Sequence, residues 1–302
     1  MAANIFGRYV WLIEQFRRYG RLTYEEVNDL WHRSGLSYGD DDDLALRTFH
    51  NHRKAIEELF DINIECNKRD GYSYYIENKE DIEKAGVRNW LLNTFAVNNL
   101  INESRKLKTR ILFEEIPSGR QYLTPIIEAM RDNFTIELTY QSFWRDEPHT
   151  FRVEPYCVKV FKQRWYVVGR APHYDEIRTY ALERIHGFQI TEKSFVYPKD
   201  FDPQSYFFTS FGITVDESCE IERIRIKTLG NKTKYIQALP LHHSQQEVER
   251  TAEYSIFEYL LRPTYDFCQE LLSHGSDLEV LSPQPLREQI KSIVKNMEQF
   301  YG

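Results

Sequence analysis

Two runs of this chain carry side chains suited to holding an anion that also has flat rings. Between Arg164 and Arg170, alternation places Arg164, Tyr166 and Arg170 on one face and Trp165 and Val167 on the other. Between Ile177 and Ile185, the same period groups Arg178, Tyr180 and Arg184. Guanidinium groups pair with phosphate through parallel N–H donors, and aromatic rings stack on bases. The same residue types also make a solvated sheet exterior with Tyr–Arg cross-strand pairs, so periodicity alone leaves both readings open.

A second set lies nearer the N-terminus. In the helical run 44–60, Arg47, Thr48, Asn51 and Lys54 fall mostly away from the apolar stripe Phe49, Ile56 and Leu59. These are types that contact phosphates and base edges. Lys68 and Arg69 stand at a turn soon after. His50 and His52 sit two apart on different faces, cannot chelate one metal together, and are expected at the surface or half-buried.

Other chemistry has little support. There is no phosphate-cradling glycine loop, no His-Glu-x-x-His and no Gly-x-Ser-x-Gly elbow, so no enzyme is expected. Cys66, Cys157, Cys219 and Cys268 are too far apart for a zinc knuckle or a redox pair. His242-His243 lacks a third ligand at a known spacing. Asp40–Asp43 lacks the alternating ligands of a calcium loop and reads as a solvated loop that also supplies an N-cap carboxylate. Neither metal nor cofactor is expected.

The chain has 302 residues, a formal charge of −7, and 15% aromatic residues with 20 Tyr and 19 Phe. At roughly 100–200 residues per domain it should fold as two or three domains. The aromatic content excludes disorder over most of the length. The acidic balance argues against coating nucleic acid by bulk charge but not against a local basic site. No apolar run follows Arg8 and none approaches a membrane span of about 18 residues, so a cytoplasmic protein without signal peptide or membrane contact is expected.

The elements that must position these residues follow from pattern. Phe6, Tyr9, Val10, Ile13 and Phe16 have helical spacing, and Gly20 ends that helix. Thr23-Tyr24-Glu25-Glu26 is a capping box opening a helix to about Arg33, with Val27, Leu30 and Trp31 inward. The helix at 44–60 is third. Ile62–Cys66 and Tyr72–Ile76 alternate as strands around Lys68-Arg69-Asp70-Gly71. Three short helices and a hairpin are the layout of a winged helix-turn-helix over 1–79, whose third helix would enter the major groove of double-stranded operator DNA while Lys68 and Arg69 touch phosphate. Acidic residues outnumber basic ones across this module, so a helical bundle that binds protein remains the alternative.

Residues 80–130 read as a helical linker, too apolar to stand alone and suited to homodimerisation. The period then switches to two. Strands are expected near 134–140, 150–156, 157–161, 164–170, 177–185 and 187–191, a small β-barrel within 131–200. Residues 201–302 begin with an aromatic connector, Phe201–Phe211, and continue in the order β-α-β-β-α-β, a ferredoxin-like arrangement.

Arg164-Trp165-Tyr166-Val167 resembles the signature of the WYL-domain transcriptional regulators. The likeness extends to Tyr140, to Arg152-Val153-Glu154-Pro155-Tyr156 and to Arg178-Thr179-Tyr180-Ala181-Leu182-Glu183-Arg184-Ile185. It also covers the N-terminal module and the stretch Leu271–Pro283, which is similar to the family's C-terminal extension. Two positions depart: Val167 replaces Leu, and Gln141 stands where the family often has Arg. The resemblance implies an α+β multidomain chain with an Sm-like, SH3-type barrel. That barrel would sense a single-stranded nucleic acid or nucleotide-like effector and relay it to the DNA-binding module. Carried over, the ligand residues are Tyr140, Arg152, Arg164, Tyr166, Arg178 and Arg184.

Overall fold

The computed structural model describes residues 2–34, 43–78 and 119–302, and divides the chain into two compact units, 1–114 and 115–302. Residues 80–118 of the helical linker expected over 80–130, and the residues Asp40–Asp42, lie outside the described residues. Helices accompany several antiparallel sheets, an α+β chain.

In the first unit, α1 (Ala2–Tyr19) ends at Gly20, whose φ of +79° suits glycine. The capping box then starts α2 (Tyr24–His32): Thr23 Oγ1 accepts from the Glu26 amide, and the Glu26 carboxylate accepts from the Thr23 amide. Helix α3 spans Leu46–Phe60. A three-stranded sheet has β3 (Ser73–Ile76) between β1 (Arg21–Leu22) and β2 (Ile64–Asn67). One core joins these elements through Val10, Ile13, Phe16, Val27, Trp31, Phe49, Ile56 and Ile64.

Three local expectations are corrected here. The buried stripe of α3 is Phe49, His52 and Ile56, whereas Leu59 is 62% exposed. His52 is drawn in because Tyr9 of α1 meets its ring edge-on at 5.1 Å. Asp43 does not cap α3, whose N-cap is Ala45. Its carboxylate instead accepts from Asn28 at 2.7 Å and faces His32 Nε2 at 2.8 Å, while Asn28 Oδ1 accepts from the Leu44 amide. That cluster ties α2 to the residues just before α3.

The second unit contains a five-stranded antiparallel sheet in the order β7-β6-β5-β4-β8. The strands are β4 (Phe134–Tyr140), β5 (His149–Phe161), β6 (Arg164–Ala171), β7 (Glu176–Ala181) and β8 (Ile185–Ser194). Ile136, Leu138, Val153, Val167, Tyr180 and Ile185 share one cluster, so the sheet curls around its core. Helix α4 (Leu123–Asp132) closes the cluster with Ile126 and Ala129. Each such aliphatic side chain contributes roughly 1.5–3 kcal/mol by leaving water. The two strands expected at 150–156 and 157–161 are one, bent at a bulge between Pro155 and Cys157. Gly169 makes the bulge possible, since a Cβ there would meet the Glu154 carbonyl oxygen at 2.3 Å. Strand β7 stops at Ala181, and Leu182–Arg184 form a 3₁₀ turn, so Arg184 does not continue the strand face of Arg178 and Tyr180.

After α5 (Pro203–Phe207), a four-stranded antiparallel sheet has the order β10-β11-β9-β12. It is built from β9 (Glu222–Leu229), α6 (Gly230–Ala238), β10 (Gln246–Arg250), β11 (Tyr254–Leu261), α7 (Tyr265–Ser273), β12 (Leu278–Ser282) and α8 (Gln284–Glu298). Its core is Ile224, Ile226, Phe257, Tyr259, Phe267 and Leu271.

The connector 201–219 belongs to both sheets. Phe211 lies 5.6 Å edge-on to Phe161 of β5 and 5.7 Å from Phe267 of α7. Thr179 Oγ1 of β7 donates to the Ile213 carbonyl at 3.3 Å, and Asp266 of α7 accepts from the Ile213 and Thr214 amides, each at 2.8 Å. Gly212, at φ +82°, lets the backbone approach Asp266 that closely. His242 spans from the connector to β11, with Nε2 at 3.1 Å from the Phe208 carbonyl and Nδ1 at 2.8 Å from Ser244 Oγ, whose oxygen accepts from the Leu260 amide.

Two outcomes follow. Asp266→Ala orphans two backbone donors and should cost the second unit about 2–3 kcal/mol, read from urea unfolding. Burial pushes His52 and His242 down to about 4. The unfolded chain therefore binds more protons between pH 6.5 and 4, and stability should fall as pH drops through that window. His52→Leu should remove the first unit's share of the slope; an unchanged slope would show that His52 does not titrate in this way.

Candidate functional site

In α3, Arg47, Asn51 and Lys54 follow i, i+4, i+7 spacing and are exposed, opposite the buried Phe49, His52 and Ile56; Thr48 is half-buried beside them. Lys54 lies 3.7 Å from Glu58 on the same helix. Lys68 and Arg69 are exposed at the hairpin turn. That turn is held by Asp70, which meets Arg21 at 3.0 Å and accepts from Ser73 Oγ. Arg53, by contrast, has its guanidinium 4.7 Å from the Tyr74 ring and donates to the Ile64 carbonyl, so it ties α3 to the hairpin.

The second site is a groove at one end of the curled sheet. Tyr140 closes β4, and its hydroxyl accepts from the buried Ala181 amide at 3.3 Å. Burial raises the Tyr140 pKa, with the Arg184 guanidinium opposing. The loop after Tyr140 is braced by Gln141, whose amide donates to the Arg184 carbonyl and whose side chain donates to the Asp146 carbonyl at 3.0 Å. Arg184 Nε donates back to the Gln141 carbonyl at 3.0 Å, and its guanidinium lies 3.8 Å from the Phe143 ring centroid and 4.9 Å from that of Tyr140. Arg178 lies 4.1 Å from the Tyr174 ring and donates twice to Glu176. These side chains line an open cavity of about 250 Å³ with Tyr140, Trp144, Phe151, Tyr174 and Tyr180, and with Arg145, Arg178 and Arg184. An adjoining hollow of about 500 Å³ shares Arg145, His149 and Phe151.

Tyr140, Arg178 and Arg184 thus meet in one cavity. Arg152 lines the adjoining hollow and faces Glu137 at 3.6 Å. Arg164 and Tyr166 line neither. Arg164 pairs with Glu183 at 3.0 Å, and Tyr166 is buried. The reason is register: Arg178 opposes Gly169, five residues along β6 from Arg164, or roughly 16 Å at about 3.3 Å per residue. Trp144, Arg145, His149, Phe151 and Tyr174 are groove residues that the sequence pattern does not isolate, since most lie in loops without a period. The Phe143-Trp144-Arg145 cluster between two strands is the signal that could have found them.

Among the described residues, no cluster of three or more His, Cys, Asp or Glu is placed to hold a metal ion, and no helix is long and apolar enough to cross a membrane. All four cysteines are free thiols.

Residues 121–190 match the WYL domain model. The chain carries a WYL domain. Residues 220–297 match the WCX domain model, so the second sheet is the WCX domain. The groove lies within the WYL match, which also takes in α4. No curated protein matches in sequence. Among solved structures, proteasome accessory factor B/C (PafBC) of Arthrobacter aurescens is 17% identical over 96% of this chain and 46% of its own, with a TM-score of 0.39. The crystal structure of a CRISPR Cas-related protein is 12% identical over 87% of this chain and 75% of that one, with a TM-score of 0.41. This chain spans less than half the length of PafBC, and at these scores neither likeness bears on its overall arrangement.

Arg184 of the WYL domain is the brace of its loop, so Arg184→Ala should speed proteolytic cleavage within 142–148 several-fold. Arg184→Lys should restore little, because an ammonium lacks the planar fork. Timed digestion followed by mass spectrometry reads the result.

Proposed function

We propose that this chain is a ligand-responsive transcriptional regulator, in which the WYL domain senses a nucleic-acid fragment or nucleotide-like anion and so controls DNA binding by the N-terminal module. The observation that carries this reading is the groove: a cavity of about 250 Å³ lined by five aromatic rings and three arginines. Aromatic rings accept flat bases, and guanidinium groups pair with phosphate. In this reading 1–79 is a winged helix-turn-helix, 80–130 the linker and dimerisation segment, 131–200 an Sm-like barrel and 201–302 a ferredoxin-like C-terminal extension. The exposed row Arg47, Asn51 and Lys54, with Thr48 beside it, would face the major groove, and Lys68 and Arg69 the backbone.

The mechanism would be a population shift. A ligand that binds better to the DNA-competent form of a homodimer raises its occupancy by the ratio of its two affinities. Thr179 supports a route for part of that signal, since it lines the cavity and also bonds the connector that Asp266 holds to the WCX domain. Arg152, Arg164 and Tyr166 lie outside the cavity, and Arg164 would act on it through Glu183, the neighbour of Arg184.

The acidic excess of residues 1–79 favours a second reading, a scaffold that binds protein. A gel shift at low salt with a duplex library separates the two. Regulator chemistry predicts a shift that weakens steeply with salt and is lost in Arg47→Ala/Asn51→Ala. Arg178→Ala/Arg184→Ala should keep the shift and lose at least tenfold in affinity for a 5′-phosphorylated oligonucleotide. Retained affinity in that double variant would remove the groove from the proposal.

A further inference from the structure

Two polar atoms of the groove residues are buried and have no hydrogen-bond partner: the Tyr180 hydroxyl and His149 Nδ1. Their neighbours are satisfied. Tyr140 Oη accepts from the Ala181 amide, and Thr179 Oγ1 donates to the Ile213 carbonyl. The His149 ring stacks on Phe151 at 4.8 Å and 25°. Tyr180 is 6% exposed, wedged 5.4 Å from Tyr140 and 5.2 Å from Phe151. A phenylalanine would fill the same space, so packing alone does not require the hydroxyl. An unpaired buried polar group costs stability unless something pairs with it.

We propose that the Tyr180 hydroxyl and the His149 imidazole are specificity residues that hydrogen-bond the edge of a nitrogen heterocycle held in the groove, while its phosphate lies on Arg178 and Arg184. This rests on the reading of the groove as a nucleotide site and says which part of the ligand is selected. The lining combines three arginines with five aromatic rings, and the unpaired atoms are neutral. The charged and titratable groups that line the two hollows with His149 are Arg145 from the loop, Tyr140 from β4, Arg152 and Glu154 from β5, Arg178 and Tyr180 from β7, Arg184 from the 3₁₀ turn, Lys193 from β8, and His173 and Tyr174 from the turn between β6 and β7. Burial first and Arg145 second push its pKa down, so the ring stays neutral and can accept or donate according to tautomer. Contact requires the covering side chains to yield. Trp144, a lining residue that is 94% exposed, is little held by packing.

The test compares two 5′-phosphorylated deoxytrinucleotides of equal charge, one with three bases and one abasic throughout, on the full chain. The proposal expects the base-bearing trimer to bind at least tenfold tighter. Tyr180→Phe and His149→Phe should each narrow that ratio at least fivefold, leave abasic-trimer affinity unchanged and keep Tm at or above that of the parent. A variant that keeps the full ratio overturns the role of its residue, as does a variant with a clearly lowered Tm, because its polar atom would then have a partner inside the fold. Equal binding of the two trimers by the parent overturns base selection but leaves phosphate recognition standing. Binding of neither trimer overturns the nucleotide reading of the groove, and this proposal with it.

Discussion

The groove depends on a corner three residues long. Leu182, Glu183 and Arg184 leave the strand direction together, and their side chains go three ways. Leu182 is fully buried in the core, Glu183 meets Arg164, and Arg184 crosses to the Gln141 carbonyl. The backbone of the corner is pinned from outside, since Gly119 packs so closely on the Leu182 carbonyl that any Cβ there would come within 2.3 Å of its carbon. A strand continuing straight would keep Arg184 on the face of Arg178 and Tyr180 but leave the 141–148 loop without its brace. Turning the corner trades sheet pairing for a fixed distance between two loops, and the cavity is the space so defined.

Local rules were legible in the sequence, and tertiary ones were not. The Thr23–Glu26 capping box needs four adjacent residues and forms as read. The C-terminal order of strands and helices was legible because each element is long enough to show its period. Strand β1 has two residues, too few for any alternation. In α3, His52 and Leu59 are comparable candidates for the inward face by spacing, and only the edge of Tyr9 decides between them. For the groove, period two correctly pairs Arg178 with Tyr180 but runs on past Ala181, where the chain has already turned. Arg164 and Arg184 look equivalent by residue type, yet register sends one to Glu183 and the other to the cavity.

Charge behaves similarly. A formal −7 over 302 residues says little about the places where cations gather. Many of the arginines are spent on internal bonds: Arg53 on a carbonyl, Arg170 on Glu154 and Asp175, Arg223 on Glu258, Arg287 on Glu279. At the groove, Arg184 lies on two aromatic faces and donates to a carbonyl, while Arg178 lies on Tyr174 and is paired with Glu176. An acidic chain with a few such placed cations attracts anions only at short range, where screening by salt matters least.

The connector has a consequence for how such chains are assembled from parts. Residues 201–219 look like a linker by position, between a WYL match ending at 190 and a WCX match starting at 220. By contact they are shared property: Phe211 packs on the core of the second sheet and meets Phe161 of β5, and Ile213 is bonded from β7 on one side and α7 on the other. A recombination event that joined this barrel to a foreign C-terminal sheet would leave both with exposed seams. By these contacts the barrel, its connector and the C-terminal sheet hold together as one part, and a cut within the connector would break it.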